Sequence, residues 1–209
     1  SSAGIGKETA KELARRNARV ILACRNQDKA RLAARDILHD TGKQVVCMQL
    51  DLCSFKSVRR FAKDLLERED RLDVLINNAG IMPPVQRVET EDGFESTFQA
   101  NHLGPFLLTH LLLVSFCSRA ASSSLFIGHT LYQSVDLSLG RWSTLFQRNT
   151  RRTFSRLFFG SIAFLLCDAG VTANCCHPGF VKTELASHSS DLHTKFTDLL
   201  IQNFGKVRK

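Results

Sequence analysis

Short apolar runs rich in β-branched residues alternate with segments of helical spacing through the first half of this 209-residue chain. "RVILAC", "QVVCMQLDL" and "LDVLINNAG" read as strands. "KETAKELARRNA", "QDKARLAARDILHD" and "SFKSVRRFAKDLLERED" read as helices. A buried strand shows as a brief continuous apolar run, while an amphipathic helix repeats its apolar residues every three or four positions. Regular alternation of the two makes consecutive strands parallel, because each returns through a helical crossover. The chain is therefore limited to an α/β fold with helices on both faces of a parallel sheet. Glu12 and Arg16 are spaced to pair on the first helix, and Ser54 is placed to cap the third. "GFESTFQANHLGPFLLTHLLL" reads as one long apolar helix, bent near Gly104-Pro105 where proline withholds an N–H.

The pattern weakens afterwards. Between Cys117 and Thr153 no clean strand is visible, "AASSSLFIGH" being the best candidate. "FSRLFFGSIAFLLCDAG" is helical in spacing, "GVTANCCHPG" reads as strand and turn, and the remainder is mixed and helical in part. No internal repeat or low-complexity tract appears, so residues 1–209 are expected to form a single domain with an atypical segment at 117–168.

An apolar content of 44% is ample for a core. The net charge of +8 is partly local: Arg141, Arg148, Arg151, Arg152 and Arg156 lie between Asp136 and Asp168, with no acid among them. Arginines and aromatics in "RWSTLFQRNTRRTFSRLFF" suit phosphate and base stacking. Nothing else supports nucleic acid, and no nucleic-acid partner is expected. The seven cysteines are odd in number and form no CxxC pair, which reads as reduced, buried thiols. No metal is expected, since His177 beside Cys175 and Cys176 lacks a second ligand pair. "PFLLTHLLLVSF" falls short of the ~20 residues that span a bilayer.

"SSAGIGKETA" opens the chain on a glycine turn into a helix. Free N–H groups and the helix dipole favour an anion there, and glycine lets a phosphate come close. A plain tight turn would look the same. The second strand ends in "ILACRN", about 20 residues on, where a dinucleotide fold meets the adenosine ribose. An acid at that point would accept from a free 2′-hydroxyl. Cys24 and Arg25 stand there instead, and Arg25 offers a bidentate donor to a 2′-phosphate. This favours NADP(H) over NAD, with an ordinary solvated arginine as the alternative.

"SSAGIGKETA", "VILACRN", "LDLCSFKSVRRFA", "LDVLINNAGIM", "FQANHLGPFLLTHLLL" and "GVTANCCHPGFVKTEL" stand in the order and spacing of a known family. The chain resembles the short-chain dehydrogenase/reductases, and within them the retinol-dehydrogenase-like branch. The resemblance implies a three-layer Rossmann-type doubly wound parallel sheet, with the first and last strands missing from this chain. It makes the opening the second half of a phosphate loop and assigns Ser2, Gly4, Ile5 and Gly6 to it. It places Asp51 near the adenine, and has Asn78, Ala79 and Gly80 steady the central sheet and contact the cofactor. Pro178 and Gly179 would border the nicotinamide, with Thr183 near its amide or the pyrophosphate. Asn101 would belong to the proton relay. Asp51 as a helix-capping acid and Asn-Asn-Ala-Gly as a simple turn stay open as alternatives.

The resemblance also implies NADP(H)-dependent oxidation or reduction of an alcohol/carbonyl pair, with a retinoid or other lipophilic alcohol or aldehyde as substrate. A homodimer, membrane association through a preceding N-terminal segment, and a cytosolic, endoplasmic-reticulum-face or mitochondrial location are further implications. The family's chemistry uses a tyrosine whose pKa is lowered by a lysine four residues on, with a serine polarising the same oxygen. The sole tyrosine, Tyr132, is followed at that spacing by Asp136, and a carboxylate would raise its pKa. Counting back roughly five helical turns from Gly170 puts the lysine slot near Arg152 and the tyrosine slot near Arg148. Arginine stays protonated and cannot act as the acid/base. The serine falls at Ser124 or Ser123, or these are serines of a surface loop. A catalytically inactive family member that binds nucleotide or a protein partner is the competing expectation.

Overall fold

The structure, a computed structural model, describes residues 2–81, 84, 86–119, 123–127 and 171–175. Helices α1 (Gly4–Arg15), α2 (Gln27–Thr41) and α3 (Phe55–Arg68) alternate with strands β1 (Ile21–Cys24), β2 (Val46–Gln49) and β3 (Val74–Ile76). A helical turn α4 (Ser96–Phe98), a π-helical turn (Gln99–Leu103) and α5 (Gly104–Arg119) follow, then β4 (Ser123–Ile127) and β5 (Val171–Cys175). All strand pairs are parallel: β1 with β2, and β3 with β4 with β5. This is the expected α/β Rossmann-type architecture.

The period of two along each strand divides the core. Leu22 and Cys24 of β1 face Ala10, Ala14, Ala30, Ala33 and Ile37 of α1 and α2. Ile21 and Ala23 point the other way, with Met48 and Leu50, into a cluster with Val58, Phe61, Leu65, Leu108 and Leu112 of α3 and α5. Helices therefore cover both faces of β1 and β2. Leu75 of β3 packs on the same α3–α5 cluster, so both strand groups share one core. Fully burying a side chain such as Val58 or Leu112 stabilises by about 1.5–3 kcal/mol.

The helix ends are set by their flanking residues. Asn26 caps α2, its side chain accepting from Lys29 N at 2.9 Å, and Gly42 ends it in the left-handed region at φ 67°. Ser54 caps α3, accepting from Ser57 N at 3.3 Å. The expected Glu12–Arg16 pair forms at 2.9 Å.

One expectation needs correction, and the weak strand candidate is borne out. The long helix is not simply bent at Gly104-Pro105. It begins at Ser96, where the Glu95 carboxylate accepts from Thr97 N and Phe98 N at 2.8 and 2.7 Å. It then widens into the π-helical turn before Gly104. Pro105 has no N–H to give the Asn101 carbonyl, and the Gly104 N–H reaches back to Gln99 O, one residue beyond the α-helical partner. The weak stretch "AASSSLFIGH" does contain a strand. β4 is flanked on both sides, Ser124 standing opposite both Val74 and Thr172. Two ladders of backbone hydrogen bonds hold it, and Phe126 and Ile127 are residue types that favour strands, while the serines before them hide the pattern. The helix expected at "FSRLFFGSIAFLLCDAG" and the residues after Cys175 lie outside the described residues. Among the described residues no helix is long and apolar enough to cross a membrane.

Candidate functional site

The predicted residues stand just past the ends of β1, β2 and β3 and at the start of α1. Ala3 precedes α1 in extended backbone, φ −152° and ψ 169°, and supplies no side-chain cap. No acidic residue stands in the first turn. The first helical bond runs from Lys7 N to Ala3 O at 3.4 Å. The amides of Gly4, Ile5 and Gly6 come before it, where no helical carbonyl can reach them. Gly4 has φ 56°, a region that favours glycine. Ser2 lies half-buried just ahead of this turn. The helix start is thus a set of aimed donors with a positive dipole end.

Arg25 follows β1 and is exposed. Its carbonyl accepts from Gln49 Nε2 at 3.0 Å. Its guanidinium makes no hydrogen bond or ion pair among the described residues. Asp51 follows β2. Its Oδ1 accepts from Cys53 N at 2.9 Å, and its own N–H donates to Ser57 Oγ at 2.9 Å. The second carboxylate oxygen, Oδ2, makes no hydrogen bond among the described residues. Ser54, not Asp51, caps α3, so Asp51 is a loop-holding acid with one oxygen to spare. Burial pushes the Cys53 thiol pKa up, Asp51 adds to the rise, and Arg25 opposes it.

Asn78 follows β3 in a tight turn, its N–H donating to Ile76 O at 3.0 Å. Ala79 is exposed and Gly80 half-buried. The neighbour that sequence reasoning passed over is Asn77. Its Nδ2 donates to Thr109 Oγ1 at 3.0 Å, and Thr109 donates in turn to Pro105 O at 2.8 Å. The doubled asparagine after an apolar strand was the available signal.

Asn101 is 3% exposed and lies in the π-helical turn. Its Oδ1 accepts from Ile81 N at 2.8 Å and its Nδ2 donates to Ile81 O at 3.0 Å. The side chain is thereby committed to the strand-end segment, and any direct polar role falls to its main chain. His102 beside it packs on Phe98, ring centroids 5.5 Å apart, and burial lowers its pKa.

The register does not bring Ser124 to this edge. Ser123 and Ser124 open β4, with Ser124 opposite Val74. Arg25, Asp51 and Asn78 lie past the C-terminal ends of their strands, the rim where α/β sheets bind ligands. Ser124 is about 10 Å of strand away from the corresponding end of β4. Tyr132, Arg148, Arg152, Pro178, Gly179 and Thr183 lie outside the described residues. Among the described residues no group of three or more His, Cys, Asp or Glu side chains could hold a metal ion.

Comparison with known proteins agrees with this geometry. Residues 1–130 match the short chain dehydrogenase family. The chain is similar to human retinol dehydrogenase 13, with 41% identity over 90% of this chain and 59% of that protein. It is also similar to mouse retinol dehydrogenase 11, with 46% identity over 91% of this chain and 62% of that protein. It therefore spans about three fifths of the length of these relatives. Among solved structures, a protein of Mycobacterium paratuberculosis is 35% identical with a TM-score of 0.65, covering 90% of this chain and 69% of that one. A short chain dehydrogenase of Shigella flexneri complexed with NADP is 26% identical with a TM-score of 0.67, covering 90% of this chain and 77% of that one. The parallel sheet, the glycine turn at a helix start and these matches together make the chain a member of the short-chain dehydrogenase/reductase family, in its retinol-dehydrogenase-like branch.

Proposed function

We propose that the chain binds NADP(H) and belongs to an oxidoreductase acting on an alcohol/carbonyl pair, with a retinoid or similar lipophilic substrate. The observation that carries this reading is the start of α1: first-turn amides with no side-chain cap and no acid, and, where an acid would select NAD, an Arg25 whose guanidinium has no partner among the described residues. The residues present fit a phosphorylated dinucleotide. The amides of Gly4, Ile5 and Gly6 would hold the pyrophosphate. Arg25 would take the 2′-phosphate in a bidentate grip. Asp51 Oδ2 would accept from the adenine amino group. Asn78, Ala79 and Gly80 would border the nicotinamide end, held in place by Asn101 through Ile81. Bound NADP(H) supplies or accepts a hydride there. Relatives named retinol dehydrogenases support the lipophilic substrate, and the Shigella complex supports NADP. Such a substrate favours work at a membrane surface, the cytosolic face of the endoplasmic reticulum.

A second reading, nucleotide binding without turnover, is favoured by one observation. Asp136, not lysine, stands four residues after the sole tyrosine, and Arg148 and Arg152 fill the expected slots. Arginine cannot relay the proton, and Ser124 lies away from the rim. Thermal shift with NADP and with NAD, beside NADPH consumption with a retinal-type aldehyde, separates the two. Turnover supports the enzyme; binding alone supports the second reading. Failure to bind NADP would sink both.

A further inference from the structure

The residues from Glu89 to Glu95 form a small hairpin that touches both the start of α3 and the π-helical turn. Glu89 bridges Glu95, Thr90 N donates to Phe94 O at 2.9 Å, and Gly93 N donates to Thr90 O at 3.0 Å. Gly93 makes the turn possible with φ 80°. The hairpin tip presses on the start of α3. Ser54 Oγ donates to the Glu91 carboxylate. Asp92 Oδ2 accepts from Phe55 N at 2.8 Å, which places a negative charge at the positive end of the helix.

The same Asp92 oxygen accepts from Gln99 Nε2 at 2.5 Å. Gln99 is fully buried, and its Oε1 accepts from Thr90 Oγ1. It is also the first residue of the π-helical turn that carries Asn101. One carboxylate oxygen therefore joins the helix start next to the Asp51 loop to the turn that holds Ile81. Two further contacts run alongside. Cys53 Sγ donates to Ser96 O at 3.7 Å, and Gly104 lies against the Leu52 carbonyl. Half-buried Asp92 is the charged group that bonds both segments, and its partners are a backbone N–H and a buried amide. Separating the two segments would leave those donors unsatisfied.

We propose that Asp92 is a positioning residue: it locks the Asp51 loop to the Asn101 turn, so that filling the adenosine end of the cofactor site orders the turn at the nicotinamide end. This rests on the cofactor placement above. The probe is adenosine 2′,5′-bisphosphate, which carries the adenine and the 2′-phosphate but no nicotinamide. Amide hydrogen exchange of the full chain is measured with and without saturating probe, and affinity is measured separately by calorimetry. In the wild type, exchange at residues 99–103 slows by about tenfold or more on binding, in step with residues 51–55. Asp92→Ala binds the probe within about threefold of wild type but loses the slowing at 99–103. Asp92→Asn, whose amide oxygen can accept both bonds, keeps most of it and guards against simple misfolding. A purely structural Asp92 would lower stability while leaving the probe-induced slowing intact, and that result would overturn the proposal. Probe binding that protects 51–55 but not 99–103 in the wild type would overturn it too. No probe binding at all would overturn the cofactor placement with it.

Discussion

Asn101 and Ile81 exchange two hydrogen bonds, side-chain oxygen to backbone N–H at 2.8 Å and side-chain amide to backbone carbonyl at 3.0 Å. The asparagine thus acts as a short stretch of β-ladder, holding a segment that has left its own strand. Asn101→Ala leaves both Ile81 groups without a partner and is expected to cost about 2 kcal/mol. Asn101→Asp keeps the acceptor but sets a carboxylate against the Ile81 carbonyl, and is expected to cost more. Urea unfolding measures both. An alanine variant as stable as wild type would show that the pair holds nothing.

A Cβ on Gly104 would sit 2.4 Å from the Leu52 carbonyl oxygen and 3.0 Å from Leu52 Cβ. Backbone cannot swing aside as a side-chain tip can. Gly104→Ala is therefore expected to destabilise by about 1–3 kcal/mol through overpacking. Alanine would otherwise stabilise a helix relative to glycine by about 1 kcal/mol. The sign of the change is thus the test, read by thermal unfolding. A stabilised variant would mean that α5 does not press on the Asp51 loop.

Arg25→Ala is expected to weaken NADP binding by about ten- to a hundredfold, the loss of a charged bidentate contact. NAD has no 2′-phosphate, so its affinity should move little. Calorimetry with both nucleotides reads the difference. Equal losses for the two would assign Arg25 a structural role.

Asp40 is held at a pKa of about 2, below its ordinary 3.8, chiefly by a hydrogen bond from Lys11 and then one from His39. A depressed carboxylate contributes stability that is present above its unfolded pKa and lost as pH falls through the folded one. The Lys11–Asp40 pair joining α1 to α2 should therefore weaken between about pH 4 and pH 2. Lys11→Met should flatten that part of the acid-stability curve while leaving its shape above pH 5 unchanged. Parallel curves for the two proteins in the acid window would remove Asp40 from the account. The Asp is solvent-exposed enough that added salt should shrink the effect.

Much of the site was legible because its parts are local. Glycine before a helix, an arginine after a strand and a capping serine announce themselves within a few residues of each other. The π-helical turn was not legible. Pro105 signalled an irregularity, but not that it would take the form of a π-helical turn at Gln99–Leu103 with Gly104 against Leu52, far away in sequence. β4 was hard to see because its serines have poor strand preference and both its ladders come from distant segments. Asp92 carries no signal in the sequence, since its two donors, Phe55 and Gln99, are brought to it only by folding.

The sequence by itself determined the fold class, the parallel order of the strands and the family, since periodicity, caps and motif spacing act over short range. Only the tertiary structure decided that the Asn101 side chain serves Ile81, that Ser124 stands away from the rim, and that Asp92 ties two loops together. Those outcomes depend on strand register and on helix contacts between residues tens of positions apart, and no local preference encodes where such partners will meet.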